Sequence, residues 1–313
     1  FPIETEDNTP VICVYASVSL GFRDFVYLEG TLGNDAFAML PQDDNDVNTY
    51  SVSGSYVFTK HINAPWLTFG KLRASYAENP QGSIEPYALQ DVFTKFNPFG
   101  SNQLYSRPNT ANNPDLHPVK TTSKELGLEM QFFDRRLGFD VAVYKSLSAD
   151  QIFAVDYSTA TGNSSRFINA GSVENKGVEL IFNATPFRTK DFQWDINLNW
   201  SKNENTVVAL TEGVDVLTIG TFQGGVSIVG TKGHAYGDIL GKDYIYSADG
   251  QKVTKNGVYL QTATTNNVIG NVTPDWIGGI RNKFTYKQVS LGFLIDVQKG
   301  GDIFSLDQYY GQS

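Results

Sequence analysis

Three histidines, His61, His117 and His234, and one cysteine, Cys13, are the only imidazole and thiol groups in 313 residues. They stand far apart in the chain. No HExxH, CxxC or paired-His spacing occurs, so a zinc site is not expected. A single Cys excludes an intrachain disulfide and leaves the redox compartment open. Asp44-Asn45-Asp46-Val47-Asn48 opens like the D-x-D-x-N of a calcium loop, with Gln42 and Asp43 as further oxygen donors. The turn glycine and the distant glutamate of that motif are missing. A solvated acidic loop is therefore the favoured reading, and calcium at Asp44, Asp46 and Asn48 a minor one. Residues 225–232, GVSIVGTK, approach a phosphate loop but lack its Gly-Lys-Ser/Thr order and a following helix. There is no GxSxG elbow, and no pair of carboxylates is placed at the separation glycoside hydrolysis needs. No catalytic residue, and no enzymatic activity, is assigned.

The chemistry left is that of binding. Tyr87, Phe93, Phe96, Phe99 and Tyr105 stand among Gln90, Asp91, Asn97 and Gln103. Aromatic faces beside amides and carboxylates are what a sugar-binding surface presents. The competing reading is that these rings pack the loop or meet a protein lid. A second candidate set, Glu129, Asp140, Asp195, Asn197 and Asn199, occupies alternate positions of strongly patterned segments.

That patterning has period two. In Phe192-Gln193-Trp194-Asp195-Ile196-Asn197-Leu198-Asn199-Trp200-Ser201 every even position is large and apolar and every odd one polar. In a strand the two sets face opposite ways. Residues 125–133, 137–145 and 289–297 repeat the rule, and further strands are expected near 12–21, 24–33, 48–58, 67–77, 172–184 and 275–286. Small strands are expected at 214–219 and 257–261. This gives roughly ten long strands of roughly ten residues, the length that crosses a bilayer at a tilt. Tight connections near 22–24, 134–136 and 286–288 alternate with long ones at about 34–47, 78–122, 146–171 and 202–274. Short periplasmic turns and long extracellular loops are the habit of an antiparallel transmembrane β-barrel. The oily face is assigned to the lipid bilayer and the polar face, with Glu129, Asp140, Asp195, Asn197 and Asn199, to a wet lumen. Trp66, Phe132, Phe192, Trp194, Trp200 and Trp276 are expected in the aromatic girdles at the membrane interface, with Phe133, Tyr144 and Tyr286.

Composition agrees. Aromatics make up 13% and charged residues 18%, the latter below the quarter or so of soluble domains. A net charge of −9 argues against nucleic-acid binding, which needs a basic surface. No apolar run reaches the ~18 residues of a membrane helix, and no signal-peptide pattern is present. Phe1-Pro2-Ile3-Glu4 reads as the start of a mature fragment or a cut within a longer protein. A soluble β-rich glycan-binding protein or adhesin is the alternative of a different class.

Several stretches resemble, in order, the SusC/RagA family of TonB-dependent transporters. Residues 113–121, NPDLHPVKT, are similar to the family's NPDLKPE-type segment, and 123–129, SKELGLE, to the strand after it. RLGFDV at 136–141, NAGSVENKGVEL at 169–180, WDINLN at 194–199, Tyr27-Leu28-Glu29 with Asn34-Asp35, and GGDI at 300–303 continue the series. The resemblance runs over roughly 15–305. It implies the middle to late part of a larger barrel of about 22 strands, without the carboxypeptidase-like domain, TonB box and plug. It further implies import of oligosaccharides, or of peptides, across the outer membrane of Bacteroidota. The implied partners are a SusD-like surface lipoprotein and, through the plug, TonB–ExbB–ExbD, with no cofactor. A siderophore or cobalamin receptor of the same architecture is the nearest alternative.

Overall fold

The computed structural model describes residues 9–82, 84 and 88–311. The chain is almost entirely strand. In order these are β1 (Val11–Phe22), β2 (Val26–Phe37), β3 (Asp46–Val57), β4 (Leu67–Gln81), β5 (Val119–Phe132), β6 (Leu137–Asp156) and β7 (Ser165–Arg188). They continue as β8 (Phe192–Leu210), β9 (Val216–Phe222), β10 (Val226–Thr231), β11 (Tyr236–Gly241), β12 (Asn267–Asn271), β13 (Pro274–Tyr286) and β14 (Val289–Gly300). One short helix, α1 (Leu306–Gly311), follows. The main ladder runs β1-β2-β3-β4-β5-β6-β7-β8-β13-β14, and β9 to β12 form a separate four-stranded sheet. The ladder is open: among the described residues β1 and β14 have one neighbour each. The chain divides into two compact units, 1–130 with 142–174, and 131–141 with 175–313.

In the first unit the register stacks Phe22, Val26, Tyr56 and Leu72 on one side, then Leu20, Leu28, Gly54 and Ala74, then Val18, Gly30, Val52 and Tyr76. Ser17, Ser19, Thr31, Glu29, Ser51, Ser53, Ser75 and Arg73 take the other side. In the second unit Trp194, Phe284 and Leu291 align, as do Ile196, Asn282 and Phe293, and Leu198, Ile280 and Ile295. Phe192, Trp194, Ile196, Leu198 and Trp200 are all half-exposed; no second layer of described protein covers them. On the apolar side Trp276 and Tyr286 are ten residues apart on one strand, about 34 Å at ~3.4 Å per residue. Tilted by about 40°, that run spans about 26 Å along a membrane normal, against the ~25 Å apolar band of such walls.

The strands overrun that band. β6 continues to Asp156, β7 begins at Ser165 and β8 runs to Leu210. This corrects the expected loops. Of 78–122 only 82–118 lies outside long strands, and of 146–171 only 157–164 does. Residues 202–274 hold the end of β8 and the four-stranded sheet. The reason is physical: past the lipid the alternation of oil and polar stops, but backbone pairing in the ladder does not. The alternation of connection lengths weakens with it, since 38–45 and 157–164 are no longer than 58–66. The turns at the other end are tight. Arg23 and Asp24, and Phe133, Asp134 and Arg135, hold the left-handed conformation that closes hairpins without splaying their strands.

Candidate functional site

In the first unit the polar face carries charges in cross-strand pairs. Lys71 Nζ lies 3.1 Å from Glu129 Oε2, and Arg73 Nε 3.3 Å from Glu125 Oε1. Gly127 sits between the two glutamates, and a Cβ there would meet the Arg73 guanidinium at 2.4 Å. Glycine at 127 thus lets the arginine cross the strand to Glu125. Lys71, Arg73 and Glu125, with Ser19, Glu29, Ser53 and Ser75, line a concavity of about 250 Å³. The pairs are partly solvated and contribute about 0–1 kcal/mol each; their effect is to line the surface with fixed charge.

In the second unit the polar face brings together Asp195 and Asn197 from the expected set. Asp195 Oδ1 accepts from Thr185 Oγ1 and Gln193 Nε2, both at 2.8 Å, and Asn197 Nδ2 donates to Asn183 Oδ1 at 2.6 Å. Around them stand Arg135, Arg281 and Lys283, lining a concavity of about 320 Å³. Sequence reading missed these cations. Asp195 is opposite Lys283 and Asn197 opposite Arg281, and that register spans a 63-residue excursion no periodicity reveals. Asn199 lies one step further on, over Gly279, whose missing side chain leaves room for Asn199 and Asp296. Glu129 belongs to the first unit, where it pairs with Lys71. Asp140 is in the second unit, on the side of β6 opposite Phe139 and Val141, and half-exposed. Tyr144 shares its parity with Asp140, which corrects its expected place among the girdle aromatics.

The apolar face shows two aromatic levels in the second unit. Near the short turns, Trp194 stacks on Phe187 at 6.0 Å and on Phe284 at 5.4 Å, and Phe132 meets Phe133 and Phe139. Phe192 opens β8 at that same end. Toward the long connections stand Trp200 and Trp276, beside Leu198, Ile280 and Val297 on one apolar surface. Lys202 and Lys176 reach Glu204 at 2.9 and 3.3 Å just beyond, and their hydrogen bonds hold its carboxyl below the usual range. In the first unit Trp66 immediately precedes β4, 52% exposed. Tyr50 stacks on Tyr76, and the Tyr50 hydroxyl donates to Glu78, which Lys120 also meets at 2.6 Å.

The described residues of segment 82–118 share a core with their neighbours in the first unit. Leu40, Ile84, Ala88 and Leu116 are buried, Leu116 to 1% exposure, with Phe37, Met39, Ile152 and Phe167 against them. Two asparagines fasten it. Asn113 Oδ1 accepts from Arg166 Nη2 and the Asp115 amide. Asn169 accepts from the His117 amide and donates to the carbonyls of His117 and Asp150. The NPDL and NAG stretches are therefore two halves of one clasp. Beyond the core, Thr94–Lys95 pairs with Tyr105–Ser106, presenting Phe93, Phe96, Phe99 and Tyr105 at 61, 52, 78 and 62% exposure. Tyr87 lies outside the described residues. Asp46 and Asn48 flank Asn34, whose amide donates to both, while Asp44 is in a separate turn. Among the described residues no three His, Cys, Asp or Glu side chains cluster as a metal site.

A sheet with one oily and one charged face, an oily band about as thick as hydrocarbon, and an elaborated end beyond it define a wall segment of an outer-membrane β-barrel. The family model described as TonB dependent receptor-like, beta-barrel matches residues 16–298, and the chain belongs to that family. TonB-dependent receptor P26 of Formosa agariphila is 28% identical over 294 residues, 83% of this chain and 30% of that protein. TonB-dependent receptor SusC of Bacteroides thetaiotaomicron is 31% identical over 166 residues, 50% of this chain and 16% of SusC. The structure of the RagAB peptide transporter superposes with a TM-score of 0.78 at 22% identity, covering 92% of this chain and 33% of that one. The chain thus spans a third or less of these relatives' length.

Proposed function

We propose that this chain is part of the barrel wall of a SusC-like TonB-dependent importer whose cargo is an oligosaccharide, or else a peptide. The observation that carries it is the exposed aromatic hairpin, Phe93, Phe96, Phe99 and Tyr105, held on a buried core at the elaborated end of the wall. Flat rings next to Asp91 and Gln103 suit the C–H faces and hydroxyls of sugars. The polar face, with its fixed ion pairs, Asn197 and Asn199, lines the route inward. The relatives' names support this reading: one is SusC, and the structural neighbour is a peptide transporter. A SusD-like lipoprotein as lid and energisation by TonB belong to the same proposal. Calcium at Asp44, Asp46 and Asn48 is not part of it.

The test is genetic. The full-length receptor gene is deleted and restored either as wild type or as Phe93→Ala/Phe96→Ala/Phe99→Ala. Growth is then measured on purified oligosaccharides and oligopeptides as sole nutrient. The expected result is loss of growth on one glycan class, with uptake in the triple variant reduced tenfold or more, as the loss of even two of the three stacking rings at ~1 kcal/mol each implies. A defect confined to iron limitation would assign the receptor to siderophores and refute the proposal.

A further inference from the structure

The short-turn end is basic in a chain whose net charge is −9. In the second unit its connections and strand ends carry Arg135, Arg136, Arg188, Lys190 and Lys287 against Asp134 and Asp191. Backbone bonds tie these turns together, from the Thr185 amide to Arg136 O and from the Lys287 amide to Asp191 O, at 2.7 and 2.8 Å. In the first unit the connections 23–25 and 58–66 carry Arg23 and Lys60 against Asp24. The long connections have the opposite sign, with ten acidic residues to six basic ones over 38–45, 82–118, 157–164 and 211–273. Arg23, Arg136, Arg188, Lys190 and Lys287 are exposed, and among the described residues none is in an ion pair.

Geometry shows which way two of these cations lean. The Arg23 guanidinium lies 5.1 Å from the centre of the Phe22 ring, and Lys287 Nζ 5.5 Å from that of Tyr286. Both rings are on the apolar face, since Phe22 is in register with Val26 and Tyr286 follows Phe284 and Trp276 in parity. The rings are 56 and 58% exposed. A cation held over the outermost ring of a lipid-facing row sits where hydrocarbon gives way to headgroups. Each unit, taken by itself, has one such pair.

We propose that the short turns of each unit, taken by itself, are a docking surface for anionic phospholipid headgroups. In each unit the aromatic ring fixes the depth and the cation above it, joined in the second unit by Arg136, Arg188 and Lys190, binds the headgroup phosphates. This depends on the barrel fold and not on the cargo. Clustered cations at a membrane surface attract acidic lipid by about fivefold per residue at low salt, and the attraction falls off within a Debye length.

The experiment uses the full-length receptor in detergent, titrated with equal amounts of phosphatidylglycerol and phosphatidylcholine and read by native mass spectrometry. Wild type should retain phosphatidylglycerol preferentially, and 0.5 M salt before buffer exchange should erase the preference. Arg23→Gln/Arg188→Gln/Lys190→Gln/Lys287→Gln should lower it at least tenfold. Lys242→Gln/Lys252→Gln/Lys255→Gln, at the other end, should leave it intact. The heat-dependent gel shift of a folded barrel checks that each variant is assembled, and the salt titration of wild type stands if a variant is not. Equal retention by wild type and the turn variant overturns the proposal, as does equal loss in the loop variant. So does a wild type that shows no lipid preference and binds only inorganic phosphate.

Discussion

Trp194 offers the sharpest test of which face meets lipid. Its indole N–H donates to Asn282 Oδ1 at 3.1 Å, and its ring stacks on Phe284 and Phe187. Asn282 is the polar residue in an otherwise oily row, between Ile280 and Phe284 on the lipid-facing side of β13. In hydrocarbon neither group finds water, so each satisfies the other. Trp194→Phe keeps the rings and strands the Asn282 amide, which costs about 1–3 kcal/mol. Asn282→Leu strands the indole N–H at a similar cost, offset in part by added apolar surface. The double variant strands nothing and should return to within about 1 kcal/mol of wild type, a favourable coupling of about 2 kcal/mol between the sites. Trp194→Ala, which also loses both stacks, should cost about 3–5 kcal/mol. The assay is guanidinium unfolding of the full-length receptor in detergent micelles, read by the gel shift of the folded barrel. Additive costs in the double variant would refute the reasoning, because a water-exposed face compensates each loss on its own.

Alternation predicts opposite outcomes for neighbours: Ile280→Lys should cost about 2–4 kcal/mol in the same assay and Arg281→Ile less than 1. Asn169→Ala removes the two hydrogen bonds that hold His117 and a third to the Asp150 carbonyl, and limited proteolysis should then cut within 88–112 at least tenfold faster while the barrel still shifts on gels. Leu116→Ala opens a cavity in the core under that segment and should destabilise it by about 2–5 kcal/mol, read by hydrogen exchange of amides 84–118 with the β8 amides unchanged.

The architecture was legible because its cause is local. A residue two places from Trp194 must be oily for the same reason Trp194 is, so 192–200 announces both faces. The tight turns were equally plain. What was hidden has non-local causes. Lys283 and Arg281 join Asp195 and Asn197 only through the pairing of β8 with β13, across the excursion that holds β9 to β12. The ends of β6, β7 and β8 looked like loops because the alternation of large apolar and polar residues lapses around Ser148, Asn169 and Lys202, yet ladder bonding needs no oil. Family-like stretches marked 113–121 and 169–180, but not that Asn113 and Asn169 close on each other's segments.

Those overrunning strands bear on how selection works. A bilayer needs about ten residues of each strand, whereas β7 has 24 and β8 has 19. The surplus of β7 contains Asn169 and Ala170, the latter at 0% exposure, and so the clasp on 113–118 is built on ladder and not on loop. A ligand that engages Phe96 or Phe99 therefore presses on a segment anchored to the wall through Leu116 and the two asparagines. Little ordering entropy remains to oppose binding, which favours affinity from few contacts. For the proposed importer it also restricts adaptation: a different cargo would call for different residues at 93–105, while 113–116 and 169–170 would have to stay as they are for the segment to hold its place.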